Sequence, residues 1–186
     1  YAKPFFDENF NHRLYSCSKS FVSLAIGKLV RENKVKLTDK ICSYFTEFVD
    51  ENTDEKVKET TIEDMLEMSV SPLTDSYALR PDLPWAESFF KVRGVKPSGT
   101  VFDYNSSGSF VLGALVEKLT GKTFIEYLRP EFDEIGVSGN IRCVTSPDGY
   151  AWGASGVICT LRDFAKVCLL VMNKGEHNGK RLLPSE

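Results

Sequence analysis

Histidine is nearly absent from this sequence. Its 186 residues include two, His12 and His177, one near each end. A Ser-His-Asp hydrolase needs an imidazole beside its nucleophile. No G-x-S-x-G elbow is present either, because Gly153-Ala154-Ser155-Gly156 has the wrong spacing. A serine hydrolase built on this chain must take its base from lysine or tyrosine. Paired cysteine motifs are also lacking. Cys17, Cys42, Cys143, Cys159 and Cys168 are odd in number, widely spaced and without a C-x-x-C. That argues against a zinc site, a thioredoxin-type motif and a full disulfide framework. Cys42, Cys159 and Cys168 sit in apolar patterns and read as small core residues. No apolar run approaches the roughly 18 residues of a membrane span. Tyr1 to Phe10 has no basic start followed by an apolar stretch, so no signal peptide is read there. Basic excess is missing too. The net charge of −3 argues against a general nucleic-acid binder.

What is present suits a single globular domain spanning 1–186. Apolar residues make up 42% and charged residues 26%, enough for a real core and too ordinary for a disordered tail. The charge is uneven. Glu47 to Asp64 carries eight acids against Lys56 and Lys58 and reads as a solvated acidic loop on the surface.

The pattern is mostly helical. A helix buried nearly all round starts near Ser16 and ends at Asn33, with Phe21, Leu24, Ala25, Leu29 and Val30 along it. Thr38 and Asp39 are positioned to cap a short amphipathic helix bearing Ile41, Tyr44, Phe45 and Phe48. Thr61 to Asp64 and Thr123 to Glu126 offer capping boxes. Ser69 to Pro84 reads as a loop, and Pro84 suits the first turn of a helix through Phe90. A second buried helix runs from about Ser107 to Thr120 and stops at Gly121. Pro130 is expected to end the helix after Thr123. Thr160 opens the last helix, and Asn178-Gly179 is a hairpin-type turn. Short strands are expected at Ile141 to Val144 and Gly156 to Cys159.

The chemistry begins at Ser16-Cys17-Ser18-Lys19. Three residues along a helix is nearly one turn, so Ser16 and Lys19 share a face. The free N–H groups and dipole of a helix start favour the alkoxide that Ser16 would become. A partly desolvated amine at Lys19 can accept the serine proton. The competing reading is a serine cap beside a lysine whose stem covers apolar surface. Cys17 is turned by about 100° from Ser16 and is expected to pack inside. The second element is Phe102-Asp103-Tyr104-Asn105-Ser106, just before the second buried helix. Tyr104 can relay a proton if neighbouring cations lower its pKa. Asn105 or Ser106 can hydrogen-bond the lysine and a substrate amide. The bland alternative is a polar helix cap with Tyr104 in the core.

Tyr15-Ser16-Cys17-Ser18-Lys19-Ser20-Phe21 resembles the nucleophile motif of serine β-lactamases and penicillin-binding proteins, especially the class C β-lactamase and esterase branch. Thr61 to Ser69, Pro97 to Ser106, Leu112 to Gly121 and Gly153 to Asp163 resemble further segments of that family in the same order. The resemblance implies an α/β fold that is mostly α in this chain: the helical domain and nucleophile helix of a β-lactamase/transpeptidase-like fold, with most of the antiparallel sheet missing and the domain incomplete at both ends. No K-T-G or H-x-G triplet follows Asp163, and that motif supplies the family's second oxyanion donor. Ser106 stands where the family usually has asparagine, and Asn105 comes one residue early. The resemblance implies acyl transfer on a β-lactam, peptidoglycan peptide or small ester through an acyl-Ser16 intermediate. Lys19 is then the base, Tyr104 a relay, and Ser106 and Asn105 the polar groups facing substrate. No metal or cofactor is implied. The missing strands would come from the rest of a parent protein. The family suggests the cell exterior, while the odd cysteine count leans to a reducing compartment. The rival class is a non-catalytic relative that binds a peptide or protein partner in the same cleft.

Overall fold

The computed structural model describes residues 7–72 and 74–185. Residues 1–6, part of the stretch read as lacking a leader, lie outside the described residues. Two helices organise the rest, α1 at Ser18–Arg31 and α6 at Ser106–Thr120. Between them come the short helices α2 (Glu55–Lys58), α3 (Ile62–Leu66), α4 (Ser76–Leu79) and α5 (Trp85–Phe90). After α6 follow α7 (Phe124–Tyr127), α8 (Arg129–Glu134) and α9 (Leu161–Met172).

α6 is buried continuously from Ser107 to Val116, so it forms the centre of the core. Small residues at Gly108 and Gly113 let neighbours approach its backbone. α1 packs on it through a stripe that includes Phe21, Val22, Ala25, Ile26 and Leu29. The helix ends follow their sequence signals. Thr61 with Asp64 and Thr123 with Glu126 form reciprocal capping boxes. Gly121 closes α6 in the left-handed conformation at φ 67°.

A small antiparallel sheet has the order β1-β3-β2, with β1 at Asn11–Arg13, β2 at Arg142–Cys143 and β3 at Val157–Thr160. Arg13 pairs with Ile158 on one side of β3, and Cys143 pairs with Val157 on the other. This register leads the chain from β1 directly into the start of α1. A hairpin of β4 (Glu176–His177) and β5 (Lys180–Arg181) turns at Asn178 and Gly179, both left-handed.

Several expectations are corrected. Ile41 to Phe48 forms two 3₁₀ turns, Ile41–Ser43 and Thr46–Phe48, in place of one amphipathic helix. Asp39 is occupied by the Lys36 N–H and the Tyr44 hydroxyl. Near-eclipse at i and i+3 in such a turn lets Phe45 stack on Phe48 with centroids 5.9 Å apart, both against Phe90. Pro130 lies in the first turn of α8, where its missing N–H costs nothing. The acidic stretch contains α2 and the start of α3. Asp54 and Thr61 cap those helices, and Glu47, Asp50, Glu55 and Glu59 are paired with Lys118, Lys91, Lys58 and Lys40. Cys168 is exposed, because α9 turns Asp163, Val167 and Leu170 inward and Cys168 lies off that line. Cys42 and Cys159 are buried, and burial pushes their thiols up to about 11 and about 12.

Candidate active site

The approach to Ser16 is strained. β1 ends at Arg13, and Tyr15 then adopts φ 48°, a left-handed conformation unfavourable for a tyrosine. Tyr15–Cys17 forms a 3₁₀ turn that runs straight into α1. Ser16 therefore sits in this tighter turn, two residues ahead of the α-helix proper. The tighter turn brings positions i and i+3 nearly into line. Lys19 Nζ lies 3.3 Å from Ser16 Oγ and donates to the Ala154 carbonyl at 2.7 Å.

Cys17 is exposed, contrary to the interior position expected of it. It does turn away from the Ser16/Lys19 face, but outward. The inward place belongs to Ser18, which is fully buried and accepts the Val157 N–H at 3.0 Å. The buried line of this segment runs through Leu14, Ser18, Phe21 and Val22, steps of three and four residues that miss Cys17.

Tyr104 comes from the loop leading into α6, 52% exposed. Lys19 Nζ sits 4.9 Å from its ring centroid. Burial pushes the Tyr104 hydroxyl towards higher pKa, but hydrogen bonds with Ser16 and Lys19 and the lysine charge outweigh it and hold it below the usual value. The structure thus brings Ser16, Lys19 and Tyr104 together.

The two polar residues after Tyr104 part company. Asn105 is 2% exposed and fully committed. Its Oδ1 accepts the Gly108 N–H, and its Nδ2 donates to the carbonyls of Pro72 and Thr74. It is the N-cap of α6, the helix-cap alternative read from the sequence, and its side chain is spent on these three backbone groups. Ser106 is half-buried and hydrogen-bonds with Tyr77.

Asp75 and Tyr77 were not singled out from the sequence. Asp75 stands at the N-cap of α4 without using its side chain there. Its Oδ1 instead accepts the N–H groups of Ser106 and Ser107 at 2.6 and 3.1 Å, and its Oδ2 accepts the Tyr77 hydroxyl at 3.1 Å. A carboxylate at the positive end of α6 is favourable for the helix dipole. Burial and the Asp75 carboxylate push the Tyr77 hydroxyl upward, so it stays a proton donor. Asp75 lies in the stretch from Ser69 to Pro84 that reads as a loop, and nothing local tells that its oxygens reach another helix. Among the described residues no group of His, Cys, Asp and Glu could hold a metal ion, and no helix is long and apolar enough to cross a membrane.

A serine and lysine one turn apart, faced by a tyrosine at the foot of a second buried helix, lie here on a β-lactamase/transpeptidase-like fold. The Beta-lactamase family model matches residues 6–185, and the chain belongs to that family. A curated relative, the 6-aminohexanoate-dimer hydrolase of Paenarthrobacter ureafaciens, is 22% identical across 98% of this chain and 51% of its own length. A solved protein from Bacillus anthracis, named provisionally as a 6-aminohexanoate-dimer hydrolase, superposes with a TM-score of 0.81 at 25% identity, covering 98% of this chain and 53% of the other. The octameric penicillin-binding protein homologue from Pyrococcus abyssi shares the fold, with a TM-score of 0.71 at 18% identity over 96% of this chain and 47% of its own. The chain spans about half the length of these relatives.

Proposed function

We propose that this chain carries the nucleophile side of a serine hydrolase site, which acts through an acyl-Ser16 intermediate on a β-lactam, a peptidoglycan peptide or a small ester. The name of its hydrolase relatives adds linear amides to the substrates worth testing. One observation carries the reading: Lys19 Nζ lies 3.3 Å from Ser16 Oγ and 4.9 Å from the Tyr104 ring centroid, and both Ser16 and Tyr104 are open to solvent.

Ser16 Oγ attacks the acyl carbon, with Lys19 as the base that receives the hydroxyl proton. Tyr104, whose acidity is enhanced, relays a proton to the leaving nitrogen or oxygen as the C–N or C–O bond breaks. Water then attacks the acyl-serine ester and loses its proton to the same groups. The carboxylic acid leaves and Ser16 regains its hydrogen. The Ser16 N–H supplies one oxyanion donor, and Ser106 with Tyr77 offers polar support beside Tyr104. Loss of one oxyanion donor costs about 10²–10³ in rate, so a second donor facing the Ser16 N–H is worth that much to the reaction.

Intact-mass measurement after incubation with a fluorescent penicillin, an activated ester or a linear amide tests the reading. The adduct should map to Ser16 and vanish in Ser16→Ala. Lys19→Ala should slow its formation by about 10²–10⁴-fold. An adduct on Ser18 or Ser106 overturns the assignment. No adduct with any acyl donor favours the non-catalytic binding module.

A further inference from the structure

The segment from Ala151 to Val157 is gripped along its whole length. The Ala151 N–H donates to Glu117 Oε1 at 2.7 Å. The Ala154 carbonyl accepts Lys19 Nζ at 2.7 Å, and the Ser155 carbonyl accepts Arg13 Nε at 3.0 Å. The Val157 N–H donates to Ser18 at 3.0 Å. Packing leaves little slack between these bonds. A Cβ on Gly153 would stand 2.4 Å from Val22 Cγ2, and one on Gly113 would lie 3.7 Å from the Ala151 carbonyl oxygen. Gly113 and Glu117 are four residues apart and share a face of α6. The helix thus offers the segment a flat glycine patch and, one turn on, a carboxylate.

We propose that Glu117 is a positioning residue: by holding the Ala151 N–H it fixes the Ala154 carbonyl that receives Lys19 Nζ, and so sets the lysine beside Ser16. The role of Lys19 in that statement rests on the acyl-transfer reading above. Glu117 acts through the backbone of Ala151, at one end of a segment whose centre binds the lysine.

The hold depends on charge. A carboxylate accepts a stronger hydrogen bond than a carboxylic acid. Burial raises the Glu117 pKa above its ordinary value of 4.5, the Ala151 N–H opposes that, and Glu126 on α7 adds to it. Other titratable groups that feel Glu117 include Cys143 on β2, which also feels Arg13, and Tyr150 in the loop before Ala151. Acidification through the raised pKa weakens the grip on Ala151. Global stability moves the other way. A group whose folded pKa is raised contributes stability below its unfolded pKa and loses it as pH rises through the folded value. A loss of alignment at low pH is thereby separable from unfolding.

Trp152 follows Ala151 directly, and the chain has one other tryptophan, Trp85. In a Trp85→Phe background, Trp152 emission in this chain should titrate with a midpoint above 4.5, the ordinary value for this carboxyl. In Glu117→Gln, which keeps a neutral acceptor, that titration should be absent. With an activated ester as probe, the acid limb of the Ser16 acylation rate should move or vanish in Glu117→Gln. Glu117→Ala should lower the maximal acylation rate roughly 10²-fold with little change in KM, as displacement of a reacting group does. Superimposable titrations or pH–rate profiles for the parent and Glu117→Gln overturn the proposal. If Ser16 accepts no acyl group, the acyl-transfer reading fails by itself. The Trp152 titration, with hydrogen exchange at the Ala151 amide, then decides whether Glu117 holds the segment. If Glu117→Ala does not fold, Glu117→Gln carries the same decision.

Discussion

Asp75 caps a helix to which it does not belong. Its carboxylate takes the Ser106 N–H at 2.6 Å and the Ser107 N–H at 3.1 Å, across a sequence separation of about thirty residues. Two consecutive orphan donors at the foot of α6 are satisfied by the loop after Pro72, directly beside Tyr104. Removing the carboxylate as Asp75→Ala should cost about 1–2 kcal/mol of stability, the usual cost of a lost helix cap. Asp75→Asn keeps an acceptor and should cost less. Chemical denaturation of both variants reads the difference, and equal stabilities would show that water replaces the cap.

Tyr104 provides a titration that needs no substrate. Burial pushes its hydroxyl up, and bonds with Ser16 and Lys19 together with the lysine charge hold it below 10.0, the ordinary tyrosine value. Lys19→Ala removes two of the lowering influences and leaves burial, so the Tyr104 ionisation should move to higher pH. Ultraviolet difference titration, with Tyr104→Phe identifying the signal, measures the shift. A shift to lower pH in Lys19→Ala contradicts the account.

The thiols should divide by exposure. Cys17 and Cys168 are exposed, while Cys42 and Cys159 are buried with pKa values raised to about 11 and about 12. A small alkylating reagent on the native protein should label Cys17 and Cys168 well before the buried pair, as peptide mass mapping would record. A bulky adduct on Cys17, adjacent to the nucleophile, should slow acylation of Ser16. Cys17→Ala itself should leave acylation within about threefold, because the thiol faces away from Lys19.

Lys28 and Glu131 form an ion pair at 2.7 Å with side chains only 8% and 9% exposed. Lys28 Nζ also donates to the Tyr127 carbonyl and lies 4.5 Å from the Tyr127 ring centroid. Glu131→Ala strands a buried ammonium and should cost about 3–5 kcal/mol, whereas the double variant Lys28→Met with Glu131→Leu should fall near the parent or above it. Thermal or urea unfolding separates the two cases. A single variant as stable as the parent would show that water reaches the pair.

Much of the fold was legible because it is local. Thr61, Thr123 and Thr160 each stand three residues before the acid or amide they bond, and Gly121 supplies the left-handed residue that ends α6. Ser16 and Lys19 are legible for the same reason, since three residues close one turn. The reading failed where a residue had two partners to choose from. Asp39 was taken for a helix cap and is spent on Lys36 and Tyr44. Asn105 offered both a polar contact for lysine or substrate and a helix cap, and its side chain is spent on Gly108, Pro72 and Thr74. β1 was not foreseen, because three half-buried residues have no periodicity to read.

The sequence by itself determined the two long helices, the caps at Thr61, Thr123, Thr160 and Gly121, and the Ser16/Lys19 pair, because propensity, capping and helical spacing act over a few residues. Tertiary packing alone decided what surrounds that pair. It brought Tyr104 to Lys19, sent the Asp75 carboxylate to α6, turned Asn105 inward and Cys17 outward, and set the Ala154 carbonyl against Lys19 across 135 positions of chain. Each of those contacts depends on how α1, α6 and the Ala151–Val157 segment interlock. That interlocking is governed by volume and backbone approach, at Gly113 and Gly153 above all, and no local pattern of residue types encodes it.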